Sequence, residues 1–463
     1  AGARPDADQS LSGTGRQMIE FVGQSRQDGD NIAAATARLI NLYREPVGDR
    51  YVMKGVPGQT SFCDLGDVLG RAVTEVGGTL FAVSGSALYS IDSSGTQTLL
   101  GAVADAQQTF MEGYASNVTI TAGGNYYGWN GATLETVTGG AFESIGSVSF
   151  LGGYTVLTER DGSRFQWASL QDPSSLSGLN FATAEALDDV LLRGVAFGGN
   201  LYLFGKASVE IWSLTGGANA NAFARLSGGV IDRGLLAPGL VTSFGQGLFF
   251  VGDDNITYLL NGNSIQPVSI RGVETSIAQS SPTHCFYFED EGHKFIVLRS
   301  SDRLSWVYDI STGEWHERGV GNDLDPWKVV GAAKAYGKWR GINTLSGVVT
   351  LEGQSDLGAT ILKRAVSSTL EANEQRFRLN RLVMRARTGF SDLGRDMNLI
   401  ARFSRDRGLT WGAQKARSLG DLGEYESRAV WRSQGQFRTL TMEVTLGDNV
   451  NAPIYTDTIL DVV

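Results

Sequence analysis

The chain has 463 residues, 42% hydrophobic and 19% charged, which gives it enough apolar material for a sizeable core and excludes an intrinsically disordered polymer. A formal net charge of −10 speaks against an overall basic nucleic-acid clamp. Two cysteines in no CxxC pair and only three histidines (His284, His293, His316) leave no disulfide framework and little for metal or general-base chemistry.

The 60 glycines are in excess of the usual ~7%. They fall between short apolar runs, where turns need residues that accept positive φ, and only 9 prolines accompany them. This pattern predicts many short antiparallel strands. No apolar run reaches the ~18 residues of a membrane helix. The opening AGARPDADQSLSGTG has no apolar signal core, so no secretion signal is expected.

In chain order, residues 1–30 are polar and read as a flexible arm. Residues 31–43, NIAAATARLINLY, predict a short helix, capped by Asp30 or Asn31 and stopped at Glu45-Pro46. From about 51 the pattern becomes strands of four to seven residues, and one hairpin type recurs. Leu80-Phe81-Ala82-Val83 with Leu88 aligns with Leu201-Tyr202-Leu203-Phe204 with Val209, and with Leu248-Phe249-Phe250-Val251 with Ile256. Looser copies lie at Tyr127-Gly128-Trp129, at Tyr154 to Leu157, at Phe295 to Leu298 and at Val348 to Leu351. The spacing of roughly 35 to 50 residues is that of propeller blades.

The first strand of each hairpin is apolar at successive positions, so both its faces must be covered. A blade between two neighbours meets that need, whereas a two-layer sandwich would show cleaner alternation. The sequence therefore predicts an all-β chain with an N-terminal arm (1–50), a β-propeller of six or seven blades (51–365) and a C-terminal β-domain (366–463). A multi-sheet sandwich is the alternative. Residues 309–319, DISTGEWHERG, read as a kelch-type blade hairpin in which Trp315 packs between blades.

Arginine becomes dense beyond 365. The segment 376–388 alternates over Phe377 and Leu379, then over Leu382 and Met384, which predicts a strand with one basic face formed by Arg376, Arg378, Arg381, Arg385 and Arg387. Such a face invites an acidic partner; pairing with the chain's own carboxylates is the alternative. Two further strands are expected at 437–446 and 454–463.

The sharpest motif is Ser404-Arg405-Asp406-Arg407-Gly408-Leu409-Thr410-Trp411, an Asp-box of the form S-x-D-x-G-x-T-W. Ser404 and Asp406 would cap backbone N–H groups, Gly408 would take the unusual dihedral, and Thr410 and Trp411 would complete the turn. A sialidase would carry several boxes in successive blades, and this chain has one, outside the repeats. Carboxylate pairs at Asp188-Asp189, Asp253-Asp254, Glu289-Asp290-Glu291 and Asp323/Asp325 fit no calcium loop. The glycines of 214–222 lack the Lys-Ser/Thr of a phosphate loop, and there is no nucleophile elbow. No catalytic residue, cofactor or metal is expected.

Several segments in order resemble the packaged-DNA stabilisation, or tail nozzle, family of short-tailed bacteriophages. They are Asn41-Leu42-Tyr43-Arg44-Glu45-Pro46-Val47 with Lys54-Gly55-Val56-Pro57-Gly58, then 199–216 (GNLYLFGKASVEIWSLTG) with 233–239 (RGLLAPG), and finally 403–414 (FSRDRGLTWGAQ). The resemblance implies a non-enzymatic virion tail protein, a propeller-based subunit of a homohexameric ring below the portal and its adaptor. Such a ring surrounds the DNA exit channel, helps retain packaged DNA without sequence-specific binding, and presents outer surfaces to tail fibres or spikes. No membrane is involved. The competing classes are a carbohydrate-active or carbohydrate-binding propeller and a monomeric adhesin or scaffold.

Overall fold

The computed structural model describes residues 15–25, 36–48, 50–66, 69–105, 108–217, 221–280, 282–345, 347–372, 375–389, 397–447 and 453–463. Strands dominate, with one α-helix, Arg271–Ser280, among the described residues. Among the described residues, seven successive groups of four antiparallel strands lie between residues 60 and 350, the sixth as part of a larger sheet. The first contains Gly70–Val76, Thr79–Ser84, Ala87–Ile91 and Gln97–Ala102. The next five begin at Thr109, Ile145, Leu191, Val241 and His284. The seventh contains Val329–Ala335, Lys338–Asn343 and Gly347–Thr350, and takes its fourth strand, Thr60–Cys63, from the other end of the propeller sequence. Its inner strand packs against that of the first meander, so the ring is closed by that early strand. This is a β-propeller whose sheets are its blades.

The recurrent hairpins account for this architecture. Leu80, Leu201 and Leu248 lie first or second in the second strands of the first, fourth and fifth blades, and those strands are buried at nearly every position. Each is covered by blades on both sides. One core cluster, for example, joins Phe204 and Ile211 of the fourth blade, Phe249 and Phe250 of the fifth, and Trp306 and Trp315 of the sixth. Trp315 donates its indole N–H to the Val268 carbonyl at 2.8 Å and packs against Phe249, so it lies between blades as expected. Its hairpin turns at Gly313 (φ 74°), and Asp309 caps it by accepting the Ser311 N–H at 2.9 Å. Two looser copies are corrected. Tyr127-Gly128-Trp129 and Val348-Val349-Thr350 lie in third strands, and the second strands of those blades are Asn117–Ala122 and Lys338–Asn343.

The C-terminal body is a two-sheet sandwich. One sheet orders Gly15–Glu20, Asp457–Val462, Phe377–Arg385 and Arg428–Phe437. The other contains Arg38–Ile40, Lys363–Val366, Thr439–Leu446, Asn398–Ser404 and Lys415–Ser418. Between them lies a core that includes Phe21, Leu39, Leu382, Met384, Trp431 and Leu460.

The expected helix at 31–43 is a correction: its described part is strand, Arg38–Ile40 and then Leu42–Val47. Residues 31–35 and the cap positions Asp30 and Asn31 lie outside the described residues. The alanine run favours helix locally, but Arg38–Ile40 is claimed by two neighbours, antiparallel to Lys363–Val366 and parallel to the sixth blade's Glu314–Val320. Tertiary pairing overrides propensity there. The described part of the predicted flexible arm is likewise built in. Gly15–Glu20 pairs in full register with Asp457–Val462, and Leu42–Val47 with Arg50–Gly55.

One sheet therefore runs without a break from the sixth blade through Arg38–Ile40 into the sandwich. Side chains reinforce the joint. Glu317 receives Arg38 in a bidentate pair (2.9 and 2.7 Å) and the Ser25 hydroxyl at 2.8 Å. Asn41, at φ 57°, accepts the Gly319 N–H at 2.9 Å and donates to the Leu362 carbonyl at 2.9 Å.

Candidate functional site

The Asp-box forms a closed network at the end of strand Asn398–Ser404. The buried Ser404 hydroxyl donates to Asp406 Oδ1 at 2.7 Å and accepts the Gly408 N–H at 2.8 Å. Asp406 Oδ1 accepts the Thr410 N–H at 2.8 Å, and its other oxygen accepts the Thr410 hydroxyl. Those bonds, led by Thr410, hold the Asp406 carboxyl at about 2, below the usual carboxylate range. Gly408 sits at φ 83°, and Trp411 lies beside it with the Arg402 guanidinium over its ring at 4.9 Å. The box is saturated by its own turn and lies in the sandwich, away from the blades that would carry sialidase boxes.

Three of the carboxylate pairs have local partners. Asp189 accepts the N–H groups of Lys206, Ala207 and Ser208, each at 2.9 Å, and so caps a hairpin turn of the fourth blade. Asp253 and Asp254 share Arg233, and Asp254 also accepts the Tyr258 hydroxyl at 2.7 Å. Glu291 pairs with Lys54 at 2.5 Å. No group of three His, Cys, Asp or Glu placed to hold a metal occurs among the described residues. His293 bonds Asp309 at 2.6 Å, while burial drives His316 down to about 3 and His284 to about 4, so both stay neutral. Both cysteines are free thiols; Cys63 is buried and Cys285 half-buried, and desolvation raises both.

The arginine-rich region divides in two. Arg402 forks onto Glu443 at 2.6 and 2.8 Å, Arg407 pairs with Glu371 at 2.9 Å, and Arg405 lies over Phe437 and bonds the Gln436 carbonyl. These are intramolecular. Arg376, Arg378, Arg385 and Arg387 are exposed and Arg381 half-exposed; Arg395 lies outside the described residues.

The break in alternation after Leu379 is a β-bulge, where the register shifts between Leu379 and Arg381 against both neighbouring strands. The extra residue moves Leu382 and Met384 onto the core side already occupied by Phe377 and Leu379. All five arginines of the predicted face are thereby kept on the outer side.

Across that outer face the register puts Met18, Ile459, Val383 and Val430 in one row. On one flank run Arg16, Asp461, Arg381 and Arg432; on the other, Arg385 stands directly opposite Arg428. At that second flank a pocket of about 650 Å³ opens, with Arg50, Arg385, Arg387 and Arg428 around it and Tyr425 and Tyr455 at its rim. Arg50 forms an ion pair with Asp457 at 3.0 Å. Sequence reading found Arg385 and Arg387 but missed Arg50, Tyr425, Arg428 and Tyr455, which arrive from distant segments. The exposed aromatic in Tyr425-Glu426-Ser427-Arg428 was the available signal.

Residues 19–349 match the family model of the bacteriophage P22 Gp10 β-propeller, and residues 364–442 that of the bacteriophage P22 Gp10 β-sandwich. The chain belongs to the P22 Gp10 family. It is thus a bacteriophage tail protein, a component of the virion, with the propeller and the sandwich expected of that family.

Among solved structures the chain is similar to the computationally designed Ika8 protein at 12% identity, covering 72% of this chain and 100% of that one with a TM-score of 0.40. It is also similar to BamB from Moraxella catarrhalis (10% identity, 71% and 98% covered, TM-score 0.39) and to YCF48 bound to D1 peptide (10%, 66% and 99%, TM-score 0.40). No curated protein matches it. No helix among the described residues is long and apolar enough to cross a membrane.

Proposed function

We propose that this P22 Gp10 family member is one subunit of a hexameric ring that forms the tail nozzle. In this reading the ring surrounds the DNA exit channel, helps retain packaged DNA, and joins the portal and adaptor to fibres or spikes, without catalysis. The observation that carries it is family membership over both bodies of the chain, 19–349 and 364–442. The sheet continuous between blade and sandwich supports it, because a nozzle must transmit force between the parts it joins. The division into an N-terminal arm over 1–50, a propeller over 51–365 and a β-domain over 366–463 belongs to the same proposal.

The net charge of −10 suits a tube that passes DNA without holding it, since a negative wall repels phosphate within the ~10 Å Debye length. Two measurements test this reading. Light scattering under tail-assembly conditions should give a ring of six 49.6 kDa copies that binds portal complexes; a monomer that ignores them sinks the proposal. Cryo-electron microscopy of the source particle should show a lumen poor in Lys and Arg, and a basic lumen refutes the channel argument.

A further inference from the structure

The pocket on the outer face of the sandwich carries an unresolved electrostatic cost. Arg385 and Arg428 are directly opposed on neighbouring strands, and neither has an ion pair among the described residues. Like charges placed opposite each other across a ladder destabilise it. Arg387 stands beside them, and Arg50 reaches the same pocket from the strand Arg50–Gly55. Two carboxylates, Asp457 and Glu426, face these four guanidinium groups, and Asp457 is engaged by Arg50. Counted over its described lining, the pocket is net positive on a chain that is net negative.

Its other surfaces are apolar. Met18 is 57% exposed, Tyr425 64% and Tyr455 41%, and all three lie around the same opening, with Ile459 beneath. Exposed aromatics and methionine beside arginine form the residue set that is enriched at the centres of protein interfaces. Arginine also presents a planar fork that matches a carboxylate.

We propose that this pocket docks a protein segment that bears carboxylates on either side of an apolar or aromatic side chain, with Arg385 and Arg428 taking the carboxylates and Met18, Tyr425 and Tyr455 the apolar group. Nucleic acid fits less well. A volume of about 650 Å³ holds a few side chains and not a duplex. The inference stands on the pocket and not on the nozzle reading, so each can fail alone.

The test uses the full chain and fluorescence anisotropy with three labelled probes: a short peptide alternating Glu with Leu and Phe, the same peptide with Gln for Glu, and a short DNA duplex. The acidic peptide should bind at least tenfold more tightly than the Gln peptide. The double variant Arg385→Gln/Arg428→Gln, which removes a like-charge contact and should fold at least as stably, should weaken acidic-peptide binding at least tenfold. Absence of acidic-peptide binding, equal binding of the Gln peptide, or binding unchanged in the variant overturns the proposal. Duplex binding tighter than peptide binding and lost in the variant assigns the site to nucleic acid instead. Self-association lost in the variant, with no peptide binding, assigns it to a second copy of the chain.

Discussion

Replacing Asp356 by alanine should be among the most damaging single changes in the propeller. Asp356 and Arg318 are each only 2% exposed at their side chains and meet at 2.7 Å. Asp356 Oδ1 also accepts from Gln59 Nε2 at 3.0 Å, and Gln59 in turn receives Asn343 at 3.1 Å. The cluster thus sits where the early strand closes the seventh blade. Asp356→Ala leaves a buried guanidinium without its counter-charge, a loss that costs about 3–5 kcal/mol. For a cooperative unit of ~300 residues the unfolding entropy is ~0.6 kcal/mol/K, so the melting temperature should fall by about 5–8 °C.

Differential scanning calorimetry of the wild type and two variants checks the cause. In Arg318→Met/Asp356→Leu both charges are gone, and Arg318 Nε and Nη1 and Asp356 Oδ2, which have no partner now, no longer need one. That variant should retain only the loss of Gln59's acceptor, about 1 kcal/mol. A double variant as unstable as the single one, or a single one that melts within about 1 °C of wild type, refutes the orphaned-charge argument.

Three further outcomes are expected. Glu317→Ala removes the acceptor shared by Arg38 and Ser25 at the joint, so hydrogen exchange in 36–41 and 363–366 should quicken by the equivalent of about 2–3 kcal/mol while exchange in the first four blades stays unchanged. Asp406 has a folded value of about 2 against an ordinary 3.8. Its contribution to the 404–411 turn is therefore complete above pH ~4 and is lost as the pH falls through 2, and proteolysis of that turn by an acid-stable protease should rise over that interval in the wild type but not in Asp406→Ala. His316, buried and neutral with a folded value of about 3 against 6.5, leaves the unfolded chain holding the extra proton between those values. Stability should thus decline by about 1 kcal/mol per pH unit as pH drops from 6.5 toward 3, and His316→Gln should flatten that acid limb in urea titrations read by tryptophan fluorescence.

What could be read from the sequence follows from how local its cause was. The blade hairpins and the glycine turns are each specified within about a dozen residues; five of the seven hairpin copies lie in second strands of blades, and two lie one strand later. The parity change between Leu379 and Leu382 was visible too, but its meaning as a bulge needed the neighbouring strands. The features that were not legible depend on partners hundreds of residues away. Arg38–Ile40 reads as helix because its alanines lie beside it and Glu314–Val320 and Lys363–Val366 do not. Thr60–Cys63 gives no sign that it completes a sheet with 347–350. The same holds for the pocket, since Arg50 and Arg428 join Arg385 only through strand order.

The two long-range closures also set an order of assembly during synthesis. The ring cannot shut until residues 347–350 exist to receive Thr60–Cys63, and Gly15–Glu20 cannot be seated until Asp457–Val462 has been made. Until then the growing chain carries early strands with unpaired edges, and pairings this distant form slowly. A product truncated before Asp457 lacks the strand on which Gly15–Glu20 docks. Only a chain extended through Asp457–Val462 can seat that early segment.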